Sequence, residues 1–192
     1  MSRAGRPLRA GINRAEPRVR NGWTRPVNAR GVAEADGIAA WGMVPAIPPA
    51  HKPNGRIRLG ASGALTGNDV YNTTAAGQAA AGSALRGRVI SFGISIQNDG
   101  TASDSFKVKA TGTATTKYTV KYYRGTTDIT SRVVAGTFRT PSLAAGAAYL
   151  ITAKVTVKSN ATVGSSATRK LTITSVASAA LKDTVKLTGK RK

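Results

Sequence analysis

The chain has 192 residues, of which 41% are hydrophobic and only 5% aromatic, so it can fill one domain of ordinary size with a mainly aliphatic core. It has no cysteine, which excludes a disulfide framework, thiolate chemistry and zinc–thiolate sites. The formal net charge of +21 suits polyanionic partners (nucleic acid, anionic cell-wall polymer or acidic lipid head groups) held with salt-sensitive affinity, and it serves plain solubility equally well.

That charge is unevenly spread. Residues 1–53 hold nine basic residues against three acidic ones, a net of +6, and residues 54–192 hold twenty against five, a net of +15. Arginine recurs at Arg3, Arg6, Arg9, Arg14, Arg18, Arg20, Arg25 and Arg30, among Pro and Gly and without a sustained apolar period. Such a stretch buries too little surface to offset the entropy of ordering it, so residues 1–53 read as a disordered basic tail or linker. The functional reading of this tail is an arm that grips a polyanion; the plain one is a linker or a start site placed too far upstream. The apolar piece Trp41–Ile47 has the composition to dock on a domain or form a turn of helix, and Pro48-Pro49 with Lys52-Pro53-Asn54-Gly55 marks a boundary. The nearest match to a secretory signal, Gly37–Ala50, lies far from the start and is broken by prolines. No run of about eighteen apolar residues is present, so no membrane span is expected.

From Gly55 onward the pattern changes to short alternating runs. Arg56–Leu59 points Ile57 and Leu59 inward, Gly60–Gly87 reads as loop with a short strand at Asp69–Asn72, and Arg88–Gly100 places Ile90, Phe92, Ile94 and Ile96 on one face. Asn98-Asp99-Gly100 is a strong turn signal, and Phe106, Val108 and Ala110 alternate with Lys107 and Lys109 just after it, so Arg88–Ala110 is predicted to be a hairpin. Strands follow at Tyr118–Tyr123, Thr127–Thr130, Val133–Arg139, Tyr149–Val157, Thr168–Ser175 and Asp183–Thr188. Glutamate occurs only at Glu16 and Glu34, and no helix is predicted. The expected fold is all-β: an immunoglobulin-like antiparallel β-sandwich of about eight strands over 54–192, with Thr and Lys outward. Tyr149, at the entrance to the clearest strand, suits either a tyrosine corner or a core position.

Three segments resemble bacterial Ig-like surface domains. Ile94–Phe106 (ISIQNDGTASDSF) resembles their V-x-V-x-N-x-G-x-A-x-D-x-F segment, Leu143–Val157 (LAAGAAYLITAKVTV) their L-x-P-G…V-x-V segment, and Ala161–Ser175 (ATVGSSATRKLTITS) their A-x-x-G…T-S ending. This is the group of CARDB-like and DUF11-like domains and the accessory module of some alpha-galactosidases. The resemblance covers roughly residues 55–190, with Ala145 where the family often has Pro. It implies an extracellular, often actinobacterial, non-catalytic spacer, adhesion or accessory module, and carries no binding residues with it.

Titratable chemistry is sparse. The single histidine, His51, sits in the tail, and no Cys–His or Ser–His arrangement is expected within the domain. Asp99, Asp104 and Asp128 fall in or beside predicted turns, where Asp forms local hydrogen bonds. Asn68-Asp69 with Asp99 or Asp104 are the only candidates for calcium, but an EF-hand-type loop is missing and the positive field opposes a bare cation. A Lys–Asn isopeptide bond would want a buried acid beside it. Asn72-Thr73-Thr74 and Asn160-Ala161-Thr162 match the glycosylation sequon, a pattern short enough to arise by chance. No catalytic, metal or cofactor site is expected, and the chain is not read as an enzyme.

The function expected from sequence is a structural or adhesive cell-surface module; its partner is unknown, with another protein or an anionic cell-wall polymer the candidates. The alternative is a polyanion-binding protein, nucleic acid included by charge, that uses the tail and a Lys-rich sheet face. Its best aromatic–basic cluster is Lys117, Lys121, Tyr123 and Arg124, with Tyr118 and Tyr122 directed into the core.

Overall fold

In the computed structural model, which describes residues 49–112 and 115–192, period-two alternation becomes ten strands and one short helix. The strands are β1 (Pro53–Leu59), β2 (Ala79–Ala84), β3 (Val89–Asn98), β4 (Phe106–Thr111) and β5 (Tyr118–Arg124), then β6 (Thr127–Asp128), β7 (Phe138–Arg139), β8 (Ala148–Val157), β9 (Ser166–Ser175) and β10 (Lys182–Arg191). Helix α1 (Thr130–Ala135) lies between β6 and β7. One sheet runs β1-β3-β8-β5-β6 and the other β2-β10-β9-β4-β7. Every pairing is antiparallel except β2 with β10. The orders β1-β3-β8-β5 and β10-β9-β4 are those of the two sheets of an immunoglobulin-type sandwich. The fold class is thus a two-sheet Ig-like β-sandwich, with ten strands among the described residues rather than about eight.

The core lies between the sheets. Ile94 sits between Ile57 and Ile151 in the first sheet, and Leu171 between Ala110 and Val185 in the second. Phe92, Phe106, Val155 and Leu187 are fully buried with them. Removing a side chain of this size from such a core costs about 3–5 kcal/mol.

The predicted hairpin Arg88–Ala110 is not formed. β3 pairs with β1 and β8, while β4 pairs with β9 and β7 in the opposite sheet. The two runs face each other across the core, which the alternation of each alone does not distinguish from pairing side by side. The Asn98–Gly100 signal serves this crossover instead. Buried Asn98 donates through Nδ2 to the carbonyls of Ala102 and Leu143, both at 2.8 Å, and its Oδ1 accepts from Gly100 N–H at 3.0 Å. Gly100 does not have positive φ; it is needed because a Cβ there would run into the Ala50 carbonyl.

Other elements also differ from expectation. Leu59 lies on the Ile57 side of β1, against Gly82 of β2, but at the rim of the sandwich it stays 49% exposed. Asp69–Asn72 is loop, and Ala79–Ala84, hidden by its Ala/Gly/Ser composition, is a strand at the sheet edge. Val133–Arg139 divides into the end of α1 and β7: Ile129 and Val133, four apart, are both buried, and Gly136 closes the helix at φ 74°. Tyr149 makes no corner bond; its ring stacks 6.3 Å from Phe138, and it is Tyr118 whose hydroxyl donates to the Ser165 carbonyl. Pro49–Lys52 is hydrogen-bonded to the sandwich: Thr101 and Ala102 N–H donate to the Pro49 and Ala50 carbonyls, and Asp99 N–H to that of Lys52. Residues 1–48, with Trp41–Ile47 and the arginine series, lie outside the described residues. No helix among the described residues is long and apolar enough to cross a membrane.

Buried Asp183 ties the two sheets together at one end. Its Oδ2 accepts from Gly55 N–H of β1 at 2.6 Å and Gln78 Nε2 at 2.7 Å, and its Oδ1 from Asn72 N–H at 3.1 Å and Thr184 N–H at 2.8 Å. Burial pushes its carboxyl above the ordinary range, and these four donors pull it back part of the way. Asp183→Ala would leave buried donors without an acceptor and is expected to lower the free energy of unfolding by about 3 kcal/mol, measured by urea denaturation. A raised folded-state pKa means the proton is held more tightly in the folded chain. The stability from that proton is present below the ordinary carboxylate range and is lost as pH rises through the raised value. The stability gap between the parent and Asp183→Asn is therefore expected to narrow as pH rises above the ordinary carboxylate range.

Candidate polyanion interface

The outward positions of the second sheet form a lattice of lysine and threonine. β4 buries Phe106, Val108 and Ala110, which turns Lys107, Lys109 and Thr111 to solvent. On β9 the same alternation leaves Thr168, Lys170, Thr172 and Thr174 outward, and on β10 it leaves Lys182, Lys186, Thr188 and Lys190, with Thr184 on the same side but buried. The register places Lys170 opposite Lys186, and Lys107 opposite Arg139 of β7. Neighbouring strands are about 4.8 Å apart, and like charges placed directly opposite destabilise a sheet.

No carboxylate offsets this. Asp104 and Asp183 are buried, Asp128 pairs with Lys121 at 3.3 Å on the first sheet, and Asp69 and Asp99 both contact Tyr71 Oη at 2.8 Å. These are all the acidic residues described, and none shares the second sheet's outer face. Threonine hydroxyls fill the lattice between the lysines, with Thr168 and Thr188 Oγ1 atoms 3.0 Å apart and those of Thr172 and Thr184 3.2 Å apart. No aromatic side chain occupies an outward position on these strands. The face offers point charges and hydroxyl donors to phosphate or carboxylate groups, with no platform for stacking bases.

The residues singled out from sequence lie elsewhere. Arg3, Arg6, Arg9, Arg14, Arg18 and Arg20 fall outside the described residues. Lys117, just before β5, and Lys121, Tyr123 and Arg124 of β5 lie at the other sheet, each with an intramolecular partner. Lys117 Nζ donates to Thr162 Oγ1 at 3.0 Å, and Lys121 is held by Asp128. Tyr123 carries Lys154 Nζ 4.8 Å from its ring centre, and the Arg124 guanidinium lies 4.7 Å from that of Tyr149. Tyr118 and Tyr122 are buried. Lys170, Lys182, Lys186, Lys190 and Arg139 were not singled out, although the Thr/Lys alternation of 168–174 and 182–190 was visible in the sequence.

Two further clusters bear on chemistry. His51 is on the sandwich rather than in the tail, with Nδ1 3.6 Å from Asp104 Oδ2, and Ser175 Oγ donates to the same carboxylate oxygen. The carboxylate stands between Ser and His, so the imidazole does not touch the hydroxyl it would have to activate. Asn68, Asp69 and Asp99 do converge, through Tyr71 and Asn54, but Asp104 is not with them, and Lys52 Nζ sits 3.7 Å from the Tyr71 ring centre. No group of three His, Cys, Asp or Glu side chains placed to hold a metal occurs among the described residues. The hydrogen-bond donors to buried Asp183 include no lysine, and the sequon residue Asn72 has its amide bonded within its own loop, Nδ2 to the Ala76 carbonyl at 2.9 Å.

No family model and no curated protein matches the chain. Solved structures similar to it include the N-terminal domain of PorA, at 11% identity and a TM-score of 0.44 over 72% of this chain and 97% of that one. A FixG-related protein from Vibrio parahaemolyticus is similar at 6% identity and a TM-score of 0.40, over 73% and 96% of the two chains. The bacterial hydrophobin BslA is similar at 14% and 0.34, over 75% and 98%. Matches this distant carry no functional argument.

If Lys170 and Lys186 repel each other across the sheet, Lys186→Glu turns the repulsion into attraction. The variant is expected to be more stable than the parent by about 0.2–1 kcal/mol in low salt, with the difference shrinking as salt is added, as measured by thermal unfolding.

Proposed function

We propose that this protein is a non-catalytic Ig-like module of the cell surface that adheres through the lysine–threonine face of its second sheet to an anionic polymer of the cell wall. The observation that carries this reading is the two like-charge cross-strand pairings, Lys170 opposite Lys186 and Lys107 opposite Arg139, on a face without a carboxylate among the described residues. Such contacts weaken the isolated domain, and a polyanion laid across them turns the same charges to attraction. Absence of aromatics from the face supports a flexible polyphosphodiester over single-stranded nucleic acid, whose bases ask for stacking surfaces. The extracellular setting rests on the resemblance of the Ile94–Phe106, Leu143–Val157 and Ala161–Ser175 segments to bacterial surface domains.

The test is binding of the full chain to polyglycerol phosphate and to DNA across a salt series. Polyglycerol phosphate is expected to bind with affinity falling steeply as salt rises. A Lys107/Lys170/Lys186→Gln triple variant is expected to lose about tenfold or more, while a Lys117/Lys121/Arg124→Gln variant is expected to change little. Equal losses in both triples would place the contact off this face. Retained binding in both would assign it to the arginine-rich residues 1–48, and no binding near physiological salt would leave a spacer.

A further inference from the structure

The sheets end on the edge strands β1, β6, β2 and β7, and three of these edges are closed or short. The outer side of β1 is bonded to the loop that follows it, Ile57 N–H to the Thr66 carbonyl at 2.9 Å and Thr66 N–H to that of Ile57 at 2.8 Å. β6 and β7 have two residues each. β2 is the exception: its six residues pair with β10 in unbroken register, and no described strand pairs with its other side. Lys186 N–H donates to the Gln78 carbonyl and Lys192 N–H to that of Ala84, so Ala80, Gly82 and Ala84 turn their backbone groups to β10. Those of Ala79, Ala81 and Ser83 point away from the sheet, find no partner among the described residues, and belong to exposed residues. Such an edge is normally blunted by Lys, by Pro or by a bulge, and β2 carries none of them.

A groove of about 420 Å³ lies at this edge, lined by Leu59, by Ala81, Gly82 and Ser83 of β2, and by Thr188 and Lys190 of β10. Its two sides differ. On the core side Gly82 stands against Leu59, where a Cβ would come within 2.5 Å of Leu59 Cδ1, and Leu59 itself is half exposed. On the outer side Lys186, Thr188 and Lys190 stand opposite Ala79, Ala81 and Ser83, whose side chains are too short to cover them. Neither lysine has an ion-pair partner among the described residues.

We propose that β2 is a docking edge for an extended peptide of alternating acidic and apolar residues, which joins the five-stranded second sheet as a further strand. The backbone groups of Ala79, Ala81 and Ser83 bond it, as in other cases of strand addition. Its apolar side chains turn to Leu59. Its acidic side chains lie about 10 Å from β10, two strand spacings, and meet Lys186 and Lys190 reaching over the small residues between. A second copy of β2 has no acidic side chain to set there, so charge favours a foreign acidic segment. The inference does not rest on polymer binding by the lysine–threonine face, since a polyanion held by lysines alone leaves the β2 amides unpaired.

The probe is the end-blocked peptide Glu-Val-Glu-Val-Glu-Val-Glu, and Glu-Glu-Val-Val-Val-Glu-Glu is its control of equal charge and composition. Titration of the isotope-labelled full chain followed by NMR is expected to shift the Ala79, Ala81 and Ser83 amide signals with the alternating peptide. Hydrogen exchange at those amides is expected to slow by about tenfold or more at saturation. The control peptide is expected to bind about tenfold more weakly, and Lys190→Gln to weaken the alternating peptide severalfold. Ala81→Pro removes an N–H that the fold leaves unpaired; it is expected to weaken the peptide by about tenfold or more with little change in unfolding temperature. Should that variant fold poorly, two peptides N-methylated on every Glu or on every Val test the pairing from the other side, and one of them is expected to lose binding by about tenfold or more. Unprotected amides in the complex overturn the proposal, as does equal binding of the control peptide, unchanged affinity in Lys190→Gln or in the folded Ala81→Pro variant, or full binding by both N-methylated peptides. Amides already protected in the free chain overturn it too, because the edge is then occupied by the chain itself or by a second copy.

Discussion

Where the few carboxylates go decides much about this protein. Asp183 and Asp104 are drawn inside, each collecting several hydrogen-bond donors: Asp183 joins β1, the loop before β2, and β10, and Asp104 takes Ser175 Oγ and the Ser105 and Ala177 N–H groups. Buried carboxylates persist only when their oxygens are met in this way. Their burial removes from the surface two of the five carboxylates among the described residues. Fold stability and surface charge therefore have one origin.

The two sheets are consequently unequal. On the first, cations have partners of their own: Lys121 with Asp128, Lys154 with the Tyr123 ring, Arg56 with Ser95 and Asn68. On the second, Lys170 and Lys186 face one another with only threonine between the rows. A face held in mild self-repulsion gains most from a polyanion, because the partner relieves the strain as well as adding contacts. Lysine in place of arginine also favours charge contact over shaped recognition, as suits a polymer without a fixed conformation.

A cavity beside α1 is a different kind of place. It is lined mainly by apolar groups of β4, β5 and α1. It lies beside the six-residue helix that links β6 and β7, the last strands of the two sheets on that side. The helix itself comes from Ile129 and Val133 falling one turn apart, a spacing as compatible with a strand on paper as with a helix.

The sequence alone settled what depends on period and composition. Alternation at 90–96, 106–110, 149–157 and 168–175 determined the strands, their inward faces and the all-β class, because a side chain on a strand has only two directions. It also placed Tyr118 and Tyr122 in the core. What alternation leaves open is which strand lies beside which, and only tertiary structure decided that: Ile90–Ile96 and Phe106–Ala110 read as neighbours in one hairpin and are opposite walls of the core. The same holds for charge. Lys170 and Lys186 stand sixteen positions apart in sequence, and only the β9–β10 register makes them neighbours. Lys121 and Arg124 looked free as letters, and folding gave each a partner. Binding surfaces in a sandwich are made across strands, so their residues become visible only when the register is known.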